Sequence, residues 1–138
     1  VTLVVCAFYC VVSNISGAAP VKLLAAALAG GILGFLIYNR HPARVFMGDT
    51  GSLFLGGAVA AMAIYMKNPL ALIIVGFVYV MESLSVIIQV TYFKKTGKRI
   101  FKMSPIHHHF EMCGWSEVRI VSVFSLVTAV LCVIGYFA

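Results

Sequence analysis

Five apolar runs punctuate the sequence: Val1–Val12, Val21–Tyr38, Thr50–Met66, Leu70–Val90 and Arg119–Phe137. A helix that crosses a hydrocarbon core about 30 Å thick needs roughly 20 mainly apolar residues. The last four runs meet or approach that length, with Thr50–Met66 near the lower limit, and the first reads as a truncated span. The alternating polar and apolar pattern of a membrane β-barrel is absent, and in lipid a helix satisfies its own backbone donors and acceptors. The pattern predicts an all-α, polytopic transmembrane helix bundle with about five membrane segments, at about 1–12, 21–38, 50–66, 70–90 and 119–137. Gly30, Gly31 and Gly34 in the second run, and Gly56 and Gly57 in the third, are expected to let neighbouring helices approach closely.

Composition agrees with the pattern. Of the 138 residues, 62% are hydrophobic and 10% charged, and the mean hydropathy is +1.06, whereas about a quarter of the residues in soluble domains are charged. This leaves no room for a separate soluble domain, so residues 1–138 are read as a single transmembrane unit. The first run lacks a basic leader and a persuasive cleavage site and is therefore not expected to be a signal peptide. The chain, which begins at Val1, is expected to be a fragment. Of the four cysteines, Cys6, Cys10 and Cys132 lie in apolar runs and Cys113 in a loop, without metal-ligand spacing; they are read as reduced packing residues.

Charge adds an orientation. Arg40, Arg44, Lys94, Lys95, Lys98, Arg99, Lys102 and Arg119 lie in or beside two alternate loops, leaving only Lys22 and Lys67 for the others. By the positive-inside tendency, loops 39–49 and 91–118 are cytoplasmic, while 13–20 and 67–69 face outward. Both chemically rich stretches then share one side of the membrane.

The first of these stretches, Asn39–Gly57, holds Asp49, the sole aspartate. Asp49 can be an N-cap for the third helix. Alternatively, with Gly48, Gly51, Thr50, Ser52 and two arginines nearby, it can be a hard oxygen ligand beside a phosphate site, as magnesium requires. Phe46 either packs into the bundle or offers a face for a base, and Asn39 either caps the second helix or reads a polar ring. In the second stretch, His107, His108 and His109 do not converge readily on one ion, because successive residues on a helix point about 100° apart. They suit phosphate binding or proton transfer, with a solvated or headgroup-binding loop as the bland reading. Gln89 can reach a ligand or bond another helix. Glu82, an acid inside an apolar run, is given a structural role because it is far in sequence from both loops.

Three segments together are recognisable: PARVFMGDTGSLFLGG (Pro42–Gly57), ESLSVIIQV (Glu82–Val90) and GKRIFKMSPIHHHFEMCGW (Gly97–Trp115). From about Val21 to the C-terminus the chain resembles the phospho-N-acetylmuramoyl-pentapeptide transferases of bacterial peptidoglycan synthesis, over roughly the C-terminal half of a ten-helix fold. The resemblance implies an Mg²⁺-dependent phosphoglycosyl transferase of the bacterial cytoplasmic membrane, with its active site on the cytoplasmic face. Such an enzyme moves phospho-N-acetylmuramoyl-pentapeptide from its UDP carrier to undecaprenyl phosphate, giving lipid I and UMP. Carried over by motif position, Asp49 is the magnesium ligand, Phe46 stacks on uracil, and Asn39 and Gln89 belong to the nucleoside pocket. His107, His108 and His109 form a catalytic loop that closes over the site, with His108 and His109 favoured for ligand contact. The implied partners are the UDP-linked substrate, undecaprenyl phosphate and membrane lipid, with no nucleic acid; the family also admits a homodimer. The family's upstream aspartate pair is missing, so the 138 residues alone are expected to be inactive. The competing readings are a sister transferase of UDP-N-acetylhexosamines, a noncatalytic membrane module and, more weakly, a transporter.

Overall fold

The computed structural model describes residues 1–40 and 42–137; His41, in the 39–49 loop, and Ala138 lie outside it. The described residues form seven helices: α1 (Thr2–Ile15), α2 (Ala19–Asn39), α3 (Gly48–Tyr65), α4 (Pro69–Val75), α5 (Phe77–Thr96), α6 (Ile106–Met112) and α7 (Glu117–Phe137). α1 lies along α2 and touches α3 and α7, while α4 is held between α3 and α7. Their shared core is built from Val5, Cys6 and Tyr9 of α1, Ala25 and Leu28 of α2, Val59 and Met62 of α3, Val75 and Cys132.

The count of membrane segments differs from the expected five. Among the described residues two helices, α2 and α7, are long and apolar enough to cross a membrane, or up to three spans if α4 and α5 together form one bent span. α1 has 14 residues, which at about 1.5 Å per residue falls short of the hydrocarbon core. α3 uses its first turn for the polar sequence Gly-Asp-Thr-Gly-Ser. The run expected as a single helix over 70–90 is broken at Gly76, where the axes of α4 and α5 meet at 77°. α4 starts sharply because Pro69 follows Asn68, whose side chain accepts a hydrogen bond from the Ala71 amide at 3.2 Å. α5 runs on to Thr96 and ends at Gly97 with φ of 69°, the left-handed stop that glycine makes without strain.

Close helix approach also occurs elsewhere than the sequence implies. A Cβ added at Gly30, Gly31, Gly34, Gly56 or Gly57 would meet nothing within 4 Å, because those faces have no partner among the described residues. A tight contact between helices is found at Gly135, where a Cβ would sit 2.9 Å from Val75 Cγ2; at the α4–α5 break a Cβ on Gly76 would sit 2.6 Å from the Leu72 carbonyl oxygen of the preceding turn. A backbone carbonyl cannot swing aside as a flexible side chain does. Gly76→Ala is therefore expected to destabilise the bundle by about 1–3 kcal/mol, seen as a lower thermal midpoint of the native-length protein in detergent; an unchanged midpoint would show that the break tolerates a side chain.

Candidate functional site

Two side-chain constellations carry the chemistry. The first is built where α2 hands over to α3. Asn39, the last residue of α2, donates from Nδ2 to the Val45 carbonyl at 2.8 Å, and the Arg44 amide donates to the Tyr38 carbonyl at 2.9 Å. These bonds fold the loop back over the end of α2. Gly48 then enters α3 with φ of 67°, a conformation that favours glycine. Asp49 consequently lies inside the first turn of α3 rather than at its cap: the N-cap is Met47, with no side-chain cap bond. The capping reading of Asp49 is thereby corrected. Its carboxylate is exposed, at the helix end whose partial positive charge favours anions.

Phe46, 80% exposed, does not pack into the bundle. It lines a cavity of about 680 Å³ together with Asn39, Arg40 and, from the start of α7, Glu117 and Ser122. The end of α2 and the segment just after the histidine loop therefore share one end of the molecule. On the other side of the turn, Met47 and Ser52 line an apolar cavity of about 520 Å³ that reaches Gly76 and Tyr79 at the α4–α5 break. Asp49 is thus flanked in sequence by residues of an apolar cavity and stands three positions from the exposed ring of Phe46.

The second constellation joins α5 to the histidine loop. Glu82, Ser85 and Gln89 are spaced i, i+3 and i+7, which places them on one helix face, and each is bonded to the loop. Gln89 is buried. Its Oε1 accepts from the Ile100 amide at 3.1 Å and the Phe101 amide at 2.9 Å, and its Nε2 donates to the Phe101 carbonyl at 3.0 Å. Ser85, also buried, accepts from the Ile106 amide at 3.1 Å while donating to the Glu82 carbonyl at 2.6 Å. Glu82 Oε2 lies 3.0 Å from His107 Nδ1.

The three histidines of α6 differ in their partners. His108 Nδ1 lies 2.7 Å from Glu111 Oε2, so His107 and His108 each turn Nδ1 to a carboxylate, and their rings lie 4.1 Å apart. The donor and acceptor roles in these two contacts depend on the tautomer of each ring; a ring that donates from Nδ1 to a carboxylate keeps Nε2 for another partner. His109 is opposite: its Nδ1 accepts from the Lys102 amide at 3.1 Å, and its Nε2 lies 3.9 Å from Cys113 Sγ. Both of its ring nitrogens are thus engaged within the loop. The far side of α6 is tied to α7 by Phe110, which stacks on Trp115 at 5.0 Å and meets Phe124 edge-on, while the Arg119 guanidinium lies 4.4 Å from the Trp115 ring.

The sequence placed Asn39 through Asp49 in one loop, whereas Asn39 is the last residue of α2 and Asp49 lies in the first turn of α3, with Phe46 between them; Glu82, expected to be remote from both loops, meets His107. The spacing of Glu82, Ser85 and Gln89 was the available signal. No hydrogen bond or ion pair among the described residues joins Asp49 to α6, and none of their His, Cys, Asp and Glu side chains form a group of three or more able to hold a metal ion. A complete protein cage for a cation is therefore not present among them. A single exposed carboxylate still fits magnesium, which usually takes one or two carboxylates and fills its shell with water and substrate phosphate.

An all-helical, strongly apolar chain with an aspartate turn and a clamped histidine loop defines a membrane protein with an enzyme-like site. Residues 1–67 match the family model described as glycosyl transferase family 4. Over all 138 residues the chain is 60% identical to a phospho-N-acetylmuramoyl-pentapeptide-transferase of Clostridium botulinum (strain Eklund 17B / Type B), covering 100% of this chain and 43% of the relative. A protein of the same name from Acetivibrio thermocellus is 59% identical, with 100% and 42% covered, and one from Clostridium perfringens is 57% identical, with 99% and 43% covered. The chain belongs to the phospho-N-acetylmuramoyl-pentapeptide-transferase family and spans about two fifths of the length of these relatives. The similarity also takes in the first twenty residues, beyond the Val21 boundary expected from motifs.

Proposed function

We propose that the native-length protein containing this chain transfers phospho-N-acetylmuramoyl-pentapeptide from UDP-N-acetylmuramoyl-pentapeptide to undecaprenyl phosphate, forming lipid I and UMP in a bacterial cytoplasmic membrane. The observation that carries this reading is the 60% identity across the whole chain to a protein bearing that name. The eight-to-two distribution of basic residues between alternate loops supports a cytoplasmic site, and the cavity shared by the end of α2 and the start of α7 supports placing both loops at that face.

In this reading Asp49 would hold Mg²⁺, which when bound would supply positive charge to the substrate's diphosphate. The exposed Phe46 ring stacks on uracil, with Asn39 holding the loop that presents it. The apolar cavity beside Met47 and Ser52 suits a prenyl chain whose phosphate reaches the Asp49 turn. His107 and His108, each with Nε2 available, contact substrate phosphate. Gln89 serves the nucleoside pocket indirectly, by clamping Ile100 and Phe101. His109 braces the loop from inside.

The test is UMP release by the native-length protein with polyprenyl phosphate, offered either UDP-N-acetylmuramoyl-pentapeptide or UDP-N-acetylglucosamine. Release only from the first is expected. Release only from the second would make the protein the sister transferase, and release from neither would favour a noncatalytic membrane module.

A further inference from the structure

Of the three α5 side chains that meet the histidine loop, only Glu82 is directed at a ring rather than at backbone. Ser85 and Gln89 already satisfy the amides of Ile106, Ile100 and Phe101, so the backbone of the loop is held at both ends without Glu82. A carboxylate in the apolar run of α5 is a costly choice for packing alone, since an apolar residue of similar volume fills the same space without desolvation. Its Oε2 nevertheless lies 3.0 Å from His107 Nδ1, with the two side chains 21% and 37% exposed. The consequence is chemical. A carboxylate at Nδ1 favours the tautomer that carries its proton there and leaves Nε2 for another partner, as a carboxylate behind a working histidine does in hydrolytic triads.

We infer that Glu82 is a positioning residue: it holds His107 by Nδ1 so that Nε2 is presented to the diphosphate of the substrate. Glu111 does the same for His108 from within α6, but Glu82 reaches in from a different helix and so ties the ring to the bundle. The role rests on the transferase reading above, in which the histidine loop contacts phosphate. Glu82 touches no substrate itself; its effect passes through His107.

The test uses the native-length protein in detergent, with Glu82→Ala and the near-isosteric Glu82→Gln, each alone and combined with His107→Ala. In the wild type, ¹⁵N-histidine spectra are expected to show His107 protonated at Nδ1, and Glu82→Ala to shift that signal toward the other tautomer. UMP release is expected to fall about 10- to 100-fold in kcat for Glu82→Ala, the range typical when a carboxylate that orients a functional histidine is removed, with KM changed less than about threefold. Glu82→Gln, which keeps a side-chain oxygen as acceptor, is expected to retain more activity than Glu82→Ala. In the His107→Ala background, Glu82→Ala should cost little more, because the two act as a unit. An unchanged His107 spectrum in Glu82→Ala would overturn the dyad, whatever the protein catalyses. Equal losses with and without His107 would reduce Glu82 to a structural residue. A shifted spectrum in a protein that releases no UMP would remove the transferase reading, and the catalytic purpose of Glu82 with it.

Discussion

Asp49→Asn is expected to lower metal-dependent UMP release by the native-length protein about 10³-fold, or roughly 4 kcal/mol in the barrier, while leaving thermal stability within about 0.5 kcal/mol of wild type. Both halves of that expectation come from the same geometry. The carboxylate is exposed, lies inside the first turn of α3 and makes no cap bond, so folding does not depend on it. It is also the one aspartate in the sequence, and an amide is a far poorer magnesium ligand than a carboxylate. Melting curves and UMP assays on one preparation separate the two effects. A variant that melts early but turns over normally would return Asp49 to a structural role.

The second large effect is expected at Gln89. Replacing it with leucine removes three hydrogen bonds to Ile100 and Phe101 while preserving apolar volume. The bonds are part-buried and contribute about 0.5–1.5 kcal/mol each, together enough to release the segment between α5 and α6. Gln89→Leu should therefore cut kcat by about 100-fold or more and speed tryptic cleavage at Lys98, Arg99 and Lys102. Were Gln89 a direct contact to the nucleoside, KM would rise while the protease pattern stayed as in wild type. The two measurements together distinguish a clamp from a ligand.

Much of this architecture was legible because hydrophobic runs have lengths and ends. The runs 21–38 and 119–137 correspond to α2 and α7 within two residues, since apolar length is what a spanning helix requires. The break at Gly76 was hidden because the residues on either side of it, Leu70–Gly76 and Phe77–Met81, are apolar, and hydrophobicity does not report the direction of a helix axis. Asp49 looked like a cap because polarity changes at that position, whereas Gly48 starts the helix one residue earlier. The glycines of α2 and α3 suggested close packing, but a glycine permits an approach without supplying the partner.

The histidine loop shows a different limit. The repeated His-His-His is conspicuous in sequence, yet equal residues acquired unequal environments: two rings face carboxylates and one faces a backbone amide. Linear order cannot assign those partners. The i, i+3, i+7 spacing of Glu82, Ser85 and Gln89 did announce a polar face on α5, and distance along the chain concealed what covers it. Membrane helices bury such faces against something polar, because lipid offers no hydrogen bonds.

The most direct measurement is UMP release from UDP-N-acetylmuramoyl-pentapeptide and undecaprenyl phosphate by the native-length wild-type protein, first with Mg²⁺ and then after chelation. Release that stops on chelation and returns when Mg²⁺ is restored is the expected result. Release that continues undiminished after chelation would contradict a magnesium site at Asp49, and no release under either condition would contradict the transferase function itself.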